Sequence, residues 1–213
     1  MRAAPLLDAL VVAAHGRQYR VELENGETLL AFPRGKKSEI ACGDRVRILR
    51  SSETQGVIET LLPRASLLYR SNAFRQKLIA ANVDQIVLVI ATEPAFSEDL
   101  IERCLIAAAS QDIAPLLVLN KCDLADKRTA ARAALAGFSA RGIPLLELSA
   151  RDNAAALLPY LSGKTSVLVG QSGMGKSTLV NALVPEAAAA TREISAALDS
   201  GKHTTTHATL YRL

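Results

Sequence analysis

Through the first ~70 residues, apolar and polar side chains alternate with the two-residue period of half-buried strands. Ala9 to Ala14 is a short apolar run, Gln18 to Leu23 alternates, and Asn25-Gly26 is a hairpin-turn signal before Leu29 to Phe32 resumes the strand. Arg45 to Leu49 places Val46 and Ile48 on one face and the arginines on the other, and Gly56 to Glu59 adds a further strand. Several short strands in so few residues predict a small barrel over residues 1–70, with the five-stranded OB type as the leading architecture. A polar stretch up to about Lys77 predicts a linker, placed at residues 71–82.

From Val83 the pattern changes. Val83 to Ala91 is a nearly continuous apolar run, the signature of a parallel strand buried on both faces. A helix follows from Ser97 to Gln111, with Ser97 as N-cap and Glu98 and Asp99 in the first turn. The alternation continues with a strand at Ala114 to Leu119, a helix at about Asp126 to Arg141, a strand at Pro144 to Leu148 and a short helix near Ala154 to Leu161. A strand at Thr165 to Val169, a helix at Lys176 to Leu183 and a last strand at His207 to Leu213 complete it. Strands alternating with helices predict a doubly wound α/β domain over 83–213.

Two of the strand ends carry chemistry. Gly170-Gln171-Ser172-Gly173-Met174-Gly175-Lys176-Ser177 fits the phosphate-loop pattern in its proper context, after a strand and opening a helix. Glycines let backbone N–H groups converge on phosphate oxygens, Lys176 reaches the β- and γ-phosphates, Ser177 ligates Mg²⁺, and Thr178 adds to the nucleotide-binding set. The loop alone does not separate ATP from GTP. Asn120-Lys121-Cys122-Asp123, at the end of a buried strand, does: a carboxylate at Asp123 accepts two hydrogen bonds from guanine, whereas adenine leaves a buried carboxylate unpaired at ~1–3 kcal/mol. Asn120 is placed to bond the base's other edge and to hold the loop, and Lys121 to cover the base plane. Ser149-Ala150 ends the next strand, where its backbone meets the guanine O6. Downstream, Thr204, Thr205 and Thr206 offer a switch segment and a further Mg²⁺ ligand, and His203 is the candidate to orient an attacking water.

Composition bounds the rest. The formal charge is +4, but residues 1–82 carry 13 Lys/Arg against 8 Asp/Glu while residues 83–213 carry 12 against 13, so the basic excess sits with the barrel and hints at a nucleic-acid partner. No apolar run approaches the ~20 residues of a membrane helix. Cys42, Cys104 and Cys122 form no C-x-x-C pair, which argues against a disulfide framework or zinc cluster and fits a reducing, cytoplasmic compartment. Two readings besides a GTPase stay open on the residues alone: a P-loop ATPase or kinase in which Asn120–Asp123 is incidental, and an RNA-binding module with a vestigial nucleotide site.

In most GTPases the phosphate loop precedes the guanine tetrad; here the order is reversed, as in a circular permutation. That order, the OB-like barrel, the Gly170–Ser177 loop and Gly201-Lys202-His203-Thr204-Thr205-Thr206 together resemble the small-ribosomal-subunit-dependent GTPase A family (RsgA), from about Gly16 to Leu213. The resemblance implies a GTP hydrolase, using GTP/GDP and Mg²⁺, that acts on the 30S subunit late in its maturation and contacts 16S rRNA through the barrel; a monomer is the accompanying expectation. The family continues past the threonine run with an Asp-x-Pro-Gly strand and a zinc domain. Neither lies within these 213 residues, so the expectation is an incomplete parallel sheet with the His207–Leu213 strand in it, no zinc site, and a partial chain.

Overall fold

The computed structural model describes residues 5–35, 39–71, 76–185, 187 and 208–213. Two compact units emerge, one formed by residues 1–83 with 203–211, the other by 84–202 with 212–213.

The first unit is the expected barrel. Its strands are β1 (Leu6–His15), β2 (Gln18–Leu23), β3 (Thr28–Pro33), β4 (Arg45–Arg50) and β5 (Gln55–Leu61), in the order β1-β2-β3-β5-β4, with β4 returning to pair β1 and close the ring. The alternation puts Val11, Tyr19, Val21, Leu29, Ala31, Val46, Ile48 and Ile58 inside. The linker expected at 71–82 is corrected where residues 71 and 76–81 are described, since they are strand residues. Strands β6 (Leu67–Ser71) and β7 (Gln76–Ala81) form an antiparallel hairpin, with Leu67 opposite Ala81 and Ser71 opposite Gln76. Polar residues such as Arg70 and Lys77, which suggested a linker, sit opposite each other in the paired strands, and the base of the hairpin is built into the unit. Ser66 and Val83 exchange hydrogen bonds, the Ala81 amide donates to the Cys42 carbonyl at 2.8 Å, and the Asn82 side chain donates to the Gly43 carbonyl at 2.9 Å.

The expected strand at His207–Leu213 is corrected in length and in place. Only β12 (Ala208–Thr209) is a strand, and it pairs antiparallel with β1, Ala13 opposite Thr209 and Ala14 opposite Ala208, instead of joining the parallel sheet. The reason lies in β1, whose pairing with β4 stops at Leu10 and whose register against β2 shifts between Val11 and Ala13. Its second half thus offers an edge, which β12 takes.

The second unit is a parallel sheet in the order β10 (Leu145–Glu147), β9 (Ala114–Asn120), β8 (Gln85–Ala91), β11 (Ser166–Val169). Every residue of β8 is buried, as a continuous apolar run requires. Helix α1 (Glu98–Ala109) packs on β8 and β9; Ser97 Oγ accepts the Leu100 amide at 3.2 Å, so the predicted N-cap is in place. Helix α2 spans Ala125–Ala140, a 3₁₀ turn at Ala154–Leu157 leads into the short α3 (Leu158–Leu161), and α4 (Lys176–Leu183) follows β11. Under α4, Leu179 and Met174 join Val87, Val89, Leu116, Val118, Leu148 and Leu157 in one core. No helix among the described residues is long and apolar enough to cross a membrane.

Candidate nucleotide-binding site

Both sequence motifs lie at the carboxyl ends of parallel strands, the tetrad after β9 and the phosphate loop after β11, on either side of β8, where ligands gather in open α/β sheets. The phosphate loop leaves β11 at Gly170, whose φ of 151° and close approach to the Val89 carbonyl leave no room for a Cβ. Gly173 and Gly175 also have positive φ, 81° and 89°. Between them Met174, 1% exposed, plugs into the core, so the loop is anchored by one apolar side chain while Ser172 and Gly173 stay at the surface. Gly175 is the N-cap of α4 and supplies no side-chain cap, so the first-turn N–H groups of Lys176, Ser177 and Thr178 have no partner within the helix. Lys176 Nζ donates to the Gly170 and Gln171 carbonyls at 2.8 and 2.7 Å, and burial pushes its pKa below the ordinary lysine value. Ser177 and Thr178 are exposed.

Asn120 joins this loop to the turn at Asn120–Asp123. It is 1% exposed; its Nδ2 donates to the Met174 carbonyl at 2.9 Å and its Oδ1 accepts the Ala150 amide at 2.8 Å. One amide thus holds Asn120–Asp123, Ser149-Ala150 and Gly170–Ser177 in a single constellation. Lys121 takes a left-handed backbone, φ 60°, and its Nζ donates to the Glu93 carbonyl at 2.7 Å. The Cys122 amide donates to the Leu148 carbonyl at 3.1 Å, which stitches the turn to the end of β10. Burial pushes the Cys122 thiol up from its ordinary pKa. Ser149 donates its amide to Asn153 Oδ1 at 2.7 Å; its own Oγ is buried with no hydrogen-bond partner.

Asp123 departs from expectation. Its carboxylate is exposed, not buried, so the penalty that discriminates against adenine arises only once a base covers it. His203, Thr204, Thr205 and Thr206 lie outside the described residues.

The donor set fits a nucleoside phosphate with its cation. Gly170 and Gly175 have no space for a side chain, the helix opens on amides with no side-chain cap, and Lys176 stands beside them. Among the described residues no group of His, Cys, Asp and Glu could hold a metal by itself.

The motif patterns did not mark Thr92, Glu93, Pro94 or Gln171's side chain. Thr92 Oγ1 donates to the Lys121 carbonyl at 3.0 Å, and the Ser97 amide donates to Gln171 Oε1 at 3.2 Å.

The model of the RsgA GTPase family matches residues 61–213. The chain is 55% identical over 209 residues to the small ribosomal subunit biogenesis GTPase RsgA of Bordetella pertussis, covering 97% of this chain and 70% of that protein. To the protein of the same name from Nitrosospira multiformis it is 53% identical over 210 residues, 99% of this chain and 67% of that one. Among solved structures, YjeQ from Thermotoga maritima superposes with a TM-score of 0.67 at 33% identity, over 85% of this chain and 66% of that one. YloQ, a circularly permuted GTPase, superposes at 0.62 and 27% identity, over 87% and 67%. The chain thus spans about two thirds of the length of these solved relatives, and with its permuted motif order and OB-like barrel it belongs to the RsgA GTPase family.

Proposed function

We propose that this chain binds GTP and GDP at residues 120–123, 149–150 and 170–178 and hydrolyses GTP in the biogenesis of the small ribosomal subunit. The observation that carries the reading is Asn120, whose single amide bonds to Met174 in the phosphate loop and Ala150 in the adjoining loop. A binding site for a base and a phosphate chain needs those parts held at fixed separation, and nothing in a vestigial site requires it. The task in the subunit is taken from the names of the relatives.

In this reading the amides of Gly173 to Ser177 and the α4 N-terminus receive the phosphates. Lys176, which now spends its protons on carbonyls of its own loop, finds stronger, charged acceptors in phosphate oxygens. Asp123 reads the guanine edge, Lys121 covers the ring with its stem, and the Ala150 region faces the O6. Ser177 holds Mg²⁺ together with the phosphates; when bound, the ion neutralises charge developing on the phosphoryl oxygens. Thr204–Thr206 as a further Mg²⁺ ligand and His203 as the group orienting water belong to the same reading and rest on the sequence pattern. The 30S partner is narrowed to 16S rRNA for the barrel, whose unit carries the chain's basic excess, and the protein acts as a cytoplasmic monomer.

The test is equilibrium binding of fluorescent GDP against fluorescent ADP. A preference for GDP of roughly ten- to hundredfold is expected from the carboxylate that adenine leaves unpaired. Equal binding, or an ADP preference, contradicts the reading.

A further inference from the structure

The segment between β8 and α1 touches both halves of the site, and no motif contains it. At its start Thr92 bonds twice to the base-reading turn: its amide donates to the Asn120 carbonyl at 3.2 Å and its hydroxyl to the Lys121 carbonyl at 3.0 Å. The Lys121 ammonium returns the contact, donating to the Glu93 carbonyl. At its end the Ser97 amide donates to the side chain of Gln171, 74 residues away in the phosphate loop. In the middle, Pro94 lies against Gly173, close enough that a methyl group on the glycine would touch the ring at 3.5 Å. Lys127 adds an ion pair to the Glu93 carboxylate at 2.6 Å.

We propose that residues 92–97 are a brace that ties the base-reading turn to the phosphate loop, with Thr92 and Gln171 as positioning residues for nucleotide binding. The proposal rests on the reading of residues 120–123 and 170–177 as the nucleotide site. Its physical basis is the left-handed backbone at Lys121, which a non-glycine residue adopts only when its surroundings hold it. Thr92 supplies that hold through the Lys121 carbonyl, and so sets where Asp123 points. Gln171 secures the other end. Ser97 is already fixed, because its own hydroxyl caps α1, so the Gln171 bond references the phosphate loop to a helix packed on the sheet. Asn120 spans the site from within; the brace spans it from outside.

Thr92→Val and Gln171→Met each remove one hydrogen-bonding group at nearly unchanged volume, and the two together close a double-mutant cycle on GDP binding by the 213-residue chain. Each single change is expected to raise the Kd for GDP roughly three- to tenfold. The double variant is expected to fall short of the product of the two losses by about threefold or more, because releasing either end frees the other. Thr92→Val also lowers the ratio of GDP to inosine diphosphate affinity, since the latter lacks the amine that Asp123 reads; Gln171→Met leaves that ratio alone, and Thr92→Ser restores wild-type behaviour. Thermal unfolding without nucleotide establishes that each variant folds, and alanine at the same position replaces one that does not. Multiplicative losses, or an unchanged GDP to inosine diphosphate ratio in folded Thr92→Val, overturn the brace while leaving the site intact. A wild-type chain with no preference for GDP over ADP overturns the functional reading and the brace with it.

Discussion

Gly175 has no side chain where Asn120 needs the space: a Cβ there would collide with the Asn120 amide nitrogen that donates to Met174. Its φ of 89° adds a second reason for glycine. Gly175→Ala therefore strains the backbone by ~1–2 kcal/mol and displaces an amide whose two partners are buried, at ~1–3 kcal/mol for each left unpaired. GDP affinity is expected to drop by roughly a hundredfold or more in a titration with fluorescent nucleotide. Wild-type affinity in this variant would contradict the role given to Asn120.

Asp123 provides the sharper probe of base recognition. An amide in place of the carboxylate offers a donor where guanine's amine also donates, and xanthine carries an oxygen there instead. Asp123→Asn is expected to weaken GDP binding and strengthen xanthosine diphosphate binding, reversing the preference by roughly tenfold or more. The carboxylate is exposed, so little change in thermal stability accompanies the switch. An unaltered preference would mean that residues 120–123 do not read the base.

In the barrel unit, Asp44 is fully buried and accepts from Arg64 Nε and Nη2, both at 2.7 Å, and from the Ala41 amide at 2.7 Å. Its hydrogen bond raises the Arg64 pKa above the ordinary value. Arg64→Met strands a buried carboxylate and is expected to lower the unfolding free energy by about 3–5 kcal/mol, read from the urea midpoint at unchanged slope. Replacing both residues by apolar ones is expected to recover much of that loss. A single-variant loss under ~1 kcal/mol would show that the pair contributes little.

Cys42 sits inside the same unit with its thiol on the Val12 carbonyl at 3.4 Å, and burial pushes its pKa up to about 12. The native state keeps a proton that the unfolded thiol gives up near pH 9, so this contribution is full below pH 9 and is lost as pH rises toward 12. The slope approaches −1.4 kcal/mol per pH unit. Urea unfolding of the wild type and Cys42→Ala across pH 8–11 measures it; the difference between the two must shrink as pH rises. Parallel curves would refute the assignment.

What could be read from the sequence was what repeats or clusters. The unbroken run at Val83–Ala91 announced a strand buried on both faces, and β8 is buried along its whole length. The alternation at Gln18–Leu23 and Arg45–Leu49 announced the barrel strands, and the two motifs marked the strand ends where the site lies. Hairpin β6–β7 escaped because Arg70, Gln76 and Lys77 are polar, and paired polar residues read like a linker in sequence. The partner of β12 escaped because two residues carry no register information, and the edge it fills exists only once β1 has left β4. Thr92, and the bond that the side chain of Gln171 makes, escaped for a different reason. Each residue makes a bond between a side chain and a distant backbone group, 29 residues away for Thr92 and 74 for Gln171, and such pairings leave no periodicity in a single chain.

Asn120 waits for Met174, 54 residues downstream. A ribosome making this chain therefore releases the tetrad first, with its amide still bonded to water, and completes the partner only when the last turn before α4 has left the exit tunnel. Until then the nascent protein holds the turn at residues 120–123 without the loop that Asn120 joins to it. The permuted order thus makes the bond that joins the two motifs a late one, formed only after the barrel strands β1 to β5 have already been made.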